Sequence, residues 1–153
     1  MMNQSAHNIM SSQLVTVPAG TSASEALNLM QEKGIRHLPV INQLSEIMGI
    51  VSQNDLGTNH SPVESFIKAP VEYLEQTTSL RGILLKMLEK RISCVLVLGS
   101  DKEKIIGIIT TDDILWYFAS LLDNNTNKKR SLWDIVNLQT IGDVIRSLSD
   151  IGI

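Results

Sequence analysis

Apolar positions along the chain fall into two series, and the second repeats the first. Leu14-Val15-Thr16-Val17 precedes Thr21, after which Ala26, Leu27 and Met30 recur at helical spacing. Fifty-seven residues later Val71-Glu72-Tyr73-Leu74 precedes Thr78, and Ile83, Leu84, Met87 and Leu88 follow with the same period. Lys33-Gly34-Ile35 matches Lys90-Arg91-Ile92, and Leu38-Pro39-Val40-Ile41 matches Val95-Leu96-Val97-Leu98. A turn follows, one residue longer in the second copy. Gly49-Ile50-Val51-Ser52-Gln53-Asn54-Asp55 then stands against Gly107-Ile108-Ile109-Thr110-Thr111-Asp112-Asp113, with glycine, hydroxyl and acid in register. The chain holds two copies of one unit.

Each unit is predicted to run strand, helix, strand, turn, strand, helix. Thr21 or Ser22, with Glu25 following, can cap the first helix, because a hydroxyl accepts from the free backbone N–H groups there. Residues 42–46 form a hairpin-length loop, and residues 99–104 form its counterpart with stronger turn chemistry. The strands at 94–98 and 105–109 are nearly all apolar, as expected of strands covered on both faces. A unit of about 55 residues would leave an apolar sheet face bare, so the two units are expected to share one core. The fold class is therefore α/β (α+β), with two pseudo-twofold-related units, each a three-stranded sheet with two helices, and related clefts between them. The expected boundaries are 1–62 for the first unit, 63–123 for the second, and 124–153 for a linker and C-terminal helical extension. In that extension Leu132, Trp133, Val136, Ile141, Val144, Ile145 and Leu148 have amphipathic spacing. They are expected to pack on the module or on a dimer mate, with docking to an effector protein as the alternative.

Composition narrows the function. The formal net charge is −3, and the longest basic run is Lys128-Lys129-Arg130, so no broad basic face is expected for nucleic acid. Cys94 is the lone cysteine, which rules out an internal disulfide and suits a reducing compartment. The first ten residues lack the pattern of a signal peptide, and no apolar run approaches the length of a membrane span. A cytoplasmic protein that binds neither nucleic acid nor membrane is the expectation.

Gly-Ile-Val-Ser-x-x-Asp at 49–55 and Gly-Ile-Ile-Thr-x-x-Asp at 107–113 resemble the segment that closes a cystathionine-β-synthase (CBS) domain. Arg36-His37-Leu38-Pro39-Val40 resembles the middle strand of the same family. The resemblance runs from about Ile9 to Leu122. It implies a Bateman module, in which two CBS motifs pack through their sheets, bind adenosine-type ligands in the clefts and associate as homodimers. By resemblance, Asp55 and Asp113 accept from ribose hydroxyls, and Ser52 and Thr110 contact ribose or phosphate. The base lies among apolar side chains and backbone of both repeats, Ile50 and Ile108 among them.

Plain chemistry agrees, since a carboxylate with two acceptor oxygens suits a ribose diol. Ser52-x-x-Asp55 and Thr110-x-x-Asp113 also have helix-cap spacing, which would bring a helix N-terminus to the cleft. Capping alone is the other reading, and the two are compatible. The first cleft is expected to gather Ser52, Asp55, Arg36 and His37, and the resemblance implies Val71, Glu72 and Ile92 as its opposite wall. The second is expected to combine Thr110, Asp113, Leu14, Val15 and Ile35. Ser93-Cys94 replace Arg36-His37 in the second repeat, so phosphorylated ligands should bind less well in the second cleft. Arg36 is the expected phosphate partner, because a guanidinium binds phosphate bidentately. A surface ion pair is its alternative, packing is the alternative for His37, and Glu72 either faces the base or faces water. The expected ligand is AMP, ADP or ATP, with S-adenosylmethionine or another adenosyl compound also open.

No catalytic set or metal spacing is apparent. His7, His37 and His60 are scattered, Cys94 lies in an apolar strand, and adjacent Asp112 and Asp113 point different ways on a helix. A regulatory, non-enzymatic module without an obligatory cofactor is the expectation, and a non-binding dimerisation scaffold is its alternative.

Overall fold

Two mixed sheets of three strands form the centre of the computed structural model, which describes residues 4–57, 60–68 and 70–122. The first sheet has the order β1 (Val17–Pro18), β2 (His37–Ile41), β3 (Ile47–Ser52); the second has β4 (Tyr73–Glu75), β5 (Cys94–Leu98), β6 (Ile105–Thr110). In each sheet the first pair is parallel and the second antiparallel. The parallel pair needs a crossover helix, supplied by α2 (Ala23–Lys33) and α3 (Leu80–Lys90), while the antiparallel pair needs only a hairpin. The expected architecture of two α+β units is the observed one. The C-terminal extension expected at 124–153 lies outside the described residues.

Local chemistry sets the helix limits. Ser22 caps α2 through a reciprocal box: its hydroxyl accepts from the Glu25 N–H while the Glu25 carboxylate accepts from the Ser22 N–H. Ser79 caps α3 by accepting from Gly82 N–H. Gly34 ends α2 in the left-handed region at φ 64°, and Arg91 ends α3 there at φ 53°. Glycine adopts that conformation without strain, and arginine does not.

The units depart from simple repetition in two ways. Each sends a connecting segment across to the other. Short helix α1 (Ala6–Ile9) places Ala6 and Ile9 in the core of the second unit with Leu74, Ile83, Val95 and Ile109. The 3-10 turn Val63–Phe66 places Val63 in the core of the first, with Met30, Leu38 and Val51. Matched backbone bonds secure both crossings. Ala6 N–H donates to Thr78 O as Val63 N–H does to Thr21 O, and Leu80 N–H to Gln4 O as Ala23 N–H does to Ser61 O.

The second departure concerns helices. Thr110 leads into α4 (Thr111–Leu122), but among the described residues no α-helix follows β3, only a turn through Asp55. Gly57 and then Pro62 sit where a helix would have to continue, and both oppose it. The helix N-terminus expected at the first cleft is therefore absent from the described residues. The opening strands are also shorter than expected: Leu14, Val15, Val71 and Glu72 approach the sheets without joining β1 or β4.

Between the sheets lies a third apolar cluster. It joins Leu14, Ile47 and Ile50 of the first unit to Val71, Cys94, Leu96 and Ile108 of the second. Gly49 and Gly107 make room for the crossing segments. A Cβ at Gly49 would overlap the Ile67 side chain, and one at Gly107 would lie 2.6 Å from Met10 Sδ and 2.8 Å from Ser11 O. Helix α4 is apolar almost all round and leaves Trp116, Phe118, Leu121 and Leu122 exposed.

Candidate functional site

A groove of about 650 Å³, counting its open mouth, runs between the units. His37, Ile50, Ser52 and Asp55 line it from the first unit. Val71, Glu72, Ile92, Ser93 and Cys94, with Lys68, Pro70 and Arg91, line it from the other side. The pseudo-twofold relation explains the pairing: the end of one unit's hairpin meets the entry segments of the other unit's first and middle strands.

The polar centre of the groove is Asp55. Its carboxylate accepts from Ser52 Oγ at 2.6 Å and from Lys68 Nζ at 2.6 Å. Those two donors, Lys68 foremost, hold its pKa below the usual carboxylate value. The anion therefore presents two acceptor oxygens, and its side-chain donors, an exposed lysine and a hydroxyl, can give way to a ligand. Asp113 stands in the matching turn, accepting from Thr110 N–H at 2.7 Å and from Thr110 Oγ1 at 2.9 Å. Thr110 and Asp113 thus carry out the capping role at the start of α4.

His37 lies at the inner end of the groove, its Nε2 2.9 Å from Ser93 Oγ, and its buried Nδ1 has no partner. Burial foremost, then the charge of Arg36, lowers its pKa, against the opposing pull of Asp112, Asp55 and Asp113. Folding thus favours the neutral ring, and protonation favours the unfolded chain. The stability His37 contributes is complete above the ordinary value of 6.5 and falls as pH drops through the lower folded value. Between about pH 7.5 and pH 5, the melting temperature of the parent should decline more steeply than that of His37→Gln. Equal slopes would assign the acid sensitivity to another group.

Arg36 is placed otherwise than expected, and Glu72 lines the groove with its carboxylate already paired. Arg36 does not line the first groove. Its guanidinium grips Asp112 at the start of α4, Nε donating to Oδ2 at 2.9 Å and Nη2 to Oδ1. The reason is topological: Ser93, its counterpart, lines the first groove, so Arg36 borders the second. Arg36 therefore stands beside the Thr110–Asp113 end of the second hairpin, paired with Asp112. Glu72 borders the groove, but its carboxylate turns to α3, 3.1 Å from Lys86 Nζ and 3.8 Å from Lys90 Nζ. Lys86 foremost lowers its pKa.

Of the other expected site residues, Leu14 and Ile108 meet in the cluster between the sheets, whereas Val15 and Ile35 pack on the first unit's core. Lys68, Pro70, Arg91, Ser93 and Cys94 were not expected at the first groove. Aligning Arg36-His37 with Ser93-Cys94 and then exchanging the clefts would have located Ser93 and Cys94. Burial raises the Cys94 thiol to about 12, so it lines the groove as an unreactive apolar group. No helix among the described residues is long and apolar enough to cross a membrane.

Comparison with known proteins follows the same lines. Residues 6–56 and 63–120 each match the family described as CBS domain. The chain is 30% identical over 117 residues to a homoserine O-acetyltransferase of Methanobrevibacter ruminantium, covering 74% of the chain and 24% of that protein. It is 26% identical over 116 residues to an L-aspartate semialdehyde sulfurtransferase of Methanocaldococcus jannaschii, covering 73% and 23%. The chain thus spans about a quarter of these curated relatives. Among solved structures, an uncharacterized conserved protein from Pyrococcus horikoshii superposes with a TM-score of 0.69 at 28% identity, covering 86% of this chain and 97% of that one. The CBS domain pair of protein MJ0100, in complex with 5′-methylthioadenosine and S-adenosyl-L-methionine, superposes with a TM-score of 0.67 at 24% identity, covering 76% and 97%.

Proposed function

Because the chain belongs to the CBS domain family and carries its unit twice, we propose that it is a regulatory module whose first cleft senses an adenosyl ligand. The observation that carries this reading is the Asp55 carboxylate in the groove, anionic and held by Ser52 and by the exposed Lys68 side chain. A ribose diol can take both oxygens, and the displaced Lys68 ammonium then becomes free for an anionic group on the ligand. Arg91 supplies a second cation at the rim. It occupies a left-handed position where the first unit has glycine, and a side chain kept against such strain is a reason to look for function. With Lys86 and Lys90 already paired to Glu72, Lys68 and Arg91 are the lining cations open to an anionic group, which favours AMP, ADP or ATP over an uncharged nucleoside. The solved domain pair holding methylthioadenosine and S-adenosylmethionine supports the adenosyl class.

Sensing requires that the ligand bind one arrangement of the two units better than another, and the shared cluster between the sheets is the joint that would move. A partner then responds to that change, without catalysis by this module. The exposed apolar side chains of α4, Trp116, Phe118, Leu121 and Leu122, support a homodimer, because a patch of that kind is normally covered. The buried thiol suits a reducing, cytoplasmic setting.

Calorimetric titration with AMP, adenosine and 5′-methylthioadenosine tests the proposal. Saturable binding is expected. Arg91→Gly should weaken AMP about tenfold while leaving adenosine within about twofold, with the melting temperature held or raised because glycine suits the left-handed position. Equal losses for AMP and adenosine would remove the phosphate role. No binding by any of the three would leave a dimerisation scaffold as the better reading.

A further inference from the structure

The hairpin ends at Ser52–Asp55 and Thr110–Asp113 are related by symmetry, yet the cations beside them are held differently. Lys68 in the first cleft holds its carboxylate through a single ammonium contact. Arg36 at the second is bound by both forks of its guanidinium to Asp112, and the two residues belong to different units. A bidentate carboxylate on a guanidinium has the geometry that a phosphate would adopt there. Both side chains are about half exposed, at 53% and 41%, so water and competing anions reach the pair. Asn54 holds the position equivalent to Asp112 in the first repeat, and it carries no charge.

We infer that Asp112 is a built-in stand-in for the anionic group of a ligand at the second cleft, and that it makes the module select phosphate-bearing adenosyl ligands at one site only. This inference rests on the reading that the clefts bind adenosyl ligands. Arg36 remains a phosphate group's natural partner; the Asp112 carboxylate, on the residue next to Asp113, already fills that role. Removing the carboxylate should uncover a second site, one that requires both Arg36 and a phosphate.

The test is calorimetry with AMP and adenosine on the parent, Asp112→Ala, Asp112→Ala with Arg36→Ala, and Asp55→Ala with Asp112→Ala. Asp112→Asn serves as a second variant that preserves shape. The parent should bind one AMP per chain. Asp112→Ala should bind two, the added site should vanish with Arg36→Ala, and adenosine should show less than a twofold gain. Asp55→Ala with Asp112→Ala should retain the added site alone. Unchanged AMP binding in both Asp112 variants, or a gain that survives Arg36→Ala, would overturn the inference while leaving the first cleft's role intact. A new site in the Asp112 variants beside a first site indifferent to Asp55→Ala would uphold the inference and sink the reading of the first cleft. No binding by any variant would end both.

Discussion

Asp55→Ala lowers the affinity of the first cleft for an adenosyl ligand by about 100-fold, with the fold intact. Two charge-assisted hydrogen bonds from a ribose diol would be lost, and bonds to charged groups contribute about 1.5–3 kcal/mol each, not additively. A net loss of about 3 kcal/mol corresponds to that factor. Against this, the folded protein loses only bonds to Ser52 and to the exposed Lys68. An exposed ion pair contributes at most about 1 kcal/mol, so thermal melting of the ligand-free variant should hardly move. The comparison of titration with melting separates the two roles of the residue. An affinity within threefold of the parent would show that Asp55 serves only the turn after β3.

Gly107→Ala should be the more damaging of the two strand-glycine substitutions for stability. Alanine in a strand ordinarily gains about 0.5–1 kcal/mol over glycine by restricting the unfolded chain. Here the new methyl would meet Met10 Sδ at 2.6 Å and the Ser11 carbonyl oxygen at 2.8 Å. Ser11 cannot retreat freely, because its N–H and C=O are both bonded to Ile108, at 2.9 and 3.0 Å. Overpacking of this kind costs about 1–3 kcal/mol, and contact with fixed backbone puts the cost near the top of that range. Melting should fall by roughly 6–12 °C for a chain of this size. Gly49→Ala meets only the Ile67 side chain, which can turn away, so its loss should be less than half as large. Equal losses would mean that the crossing segments yield alike and that the Ser11–Ile108 bridge confers no rigidity.

Repetition made much of this structure legible. Strand and helix periods, the Ser22–Glu25 box and the hairpins follow from short-range chemistry, which lies wholly within the local sequence. The pairing of Ser52 and Asp55 with Val71, Glu72 and Ile92 followed from symmetry plus family resemblance. The partner of Arg36 was not legible, because it depends on which cleft each middle strand enters, a property of the crossing and not of the spacing. Glu72 was ambiguous for a related reason: alternation along its segment turns Val71 to the sheet interface and Glu72 to α3, but the two lysines that hold it come from a helix 14 to 18 residues later. Lys68 lay in a stretch with no repeat partner of its own chemistry, since Ser11 occupies the equivalent position.

The exchanged segments also govern the order in which the chain can complete itself during synthesis. The first core closes once Val63 and Phe66 have left the ribosome. The second needs Ile109 and Ile114, at the late end, together with Ala6 and Ile9, made at the start. At about 5–20 residues per second, the early helix waits several seconds for the surface that will cover it. That final closure joins residues a hundred positions apart, the kind of contact that slows folding. Bulk attached ahead of residue 4 should therefore burden the half of the molecule that is translated last.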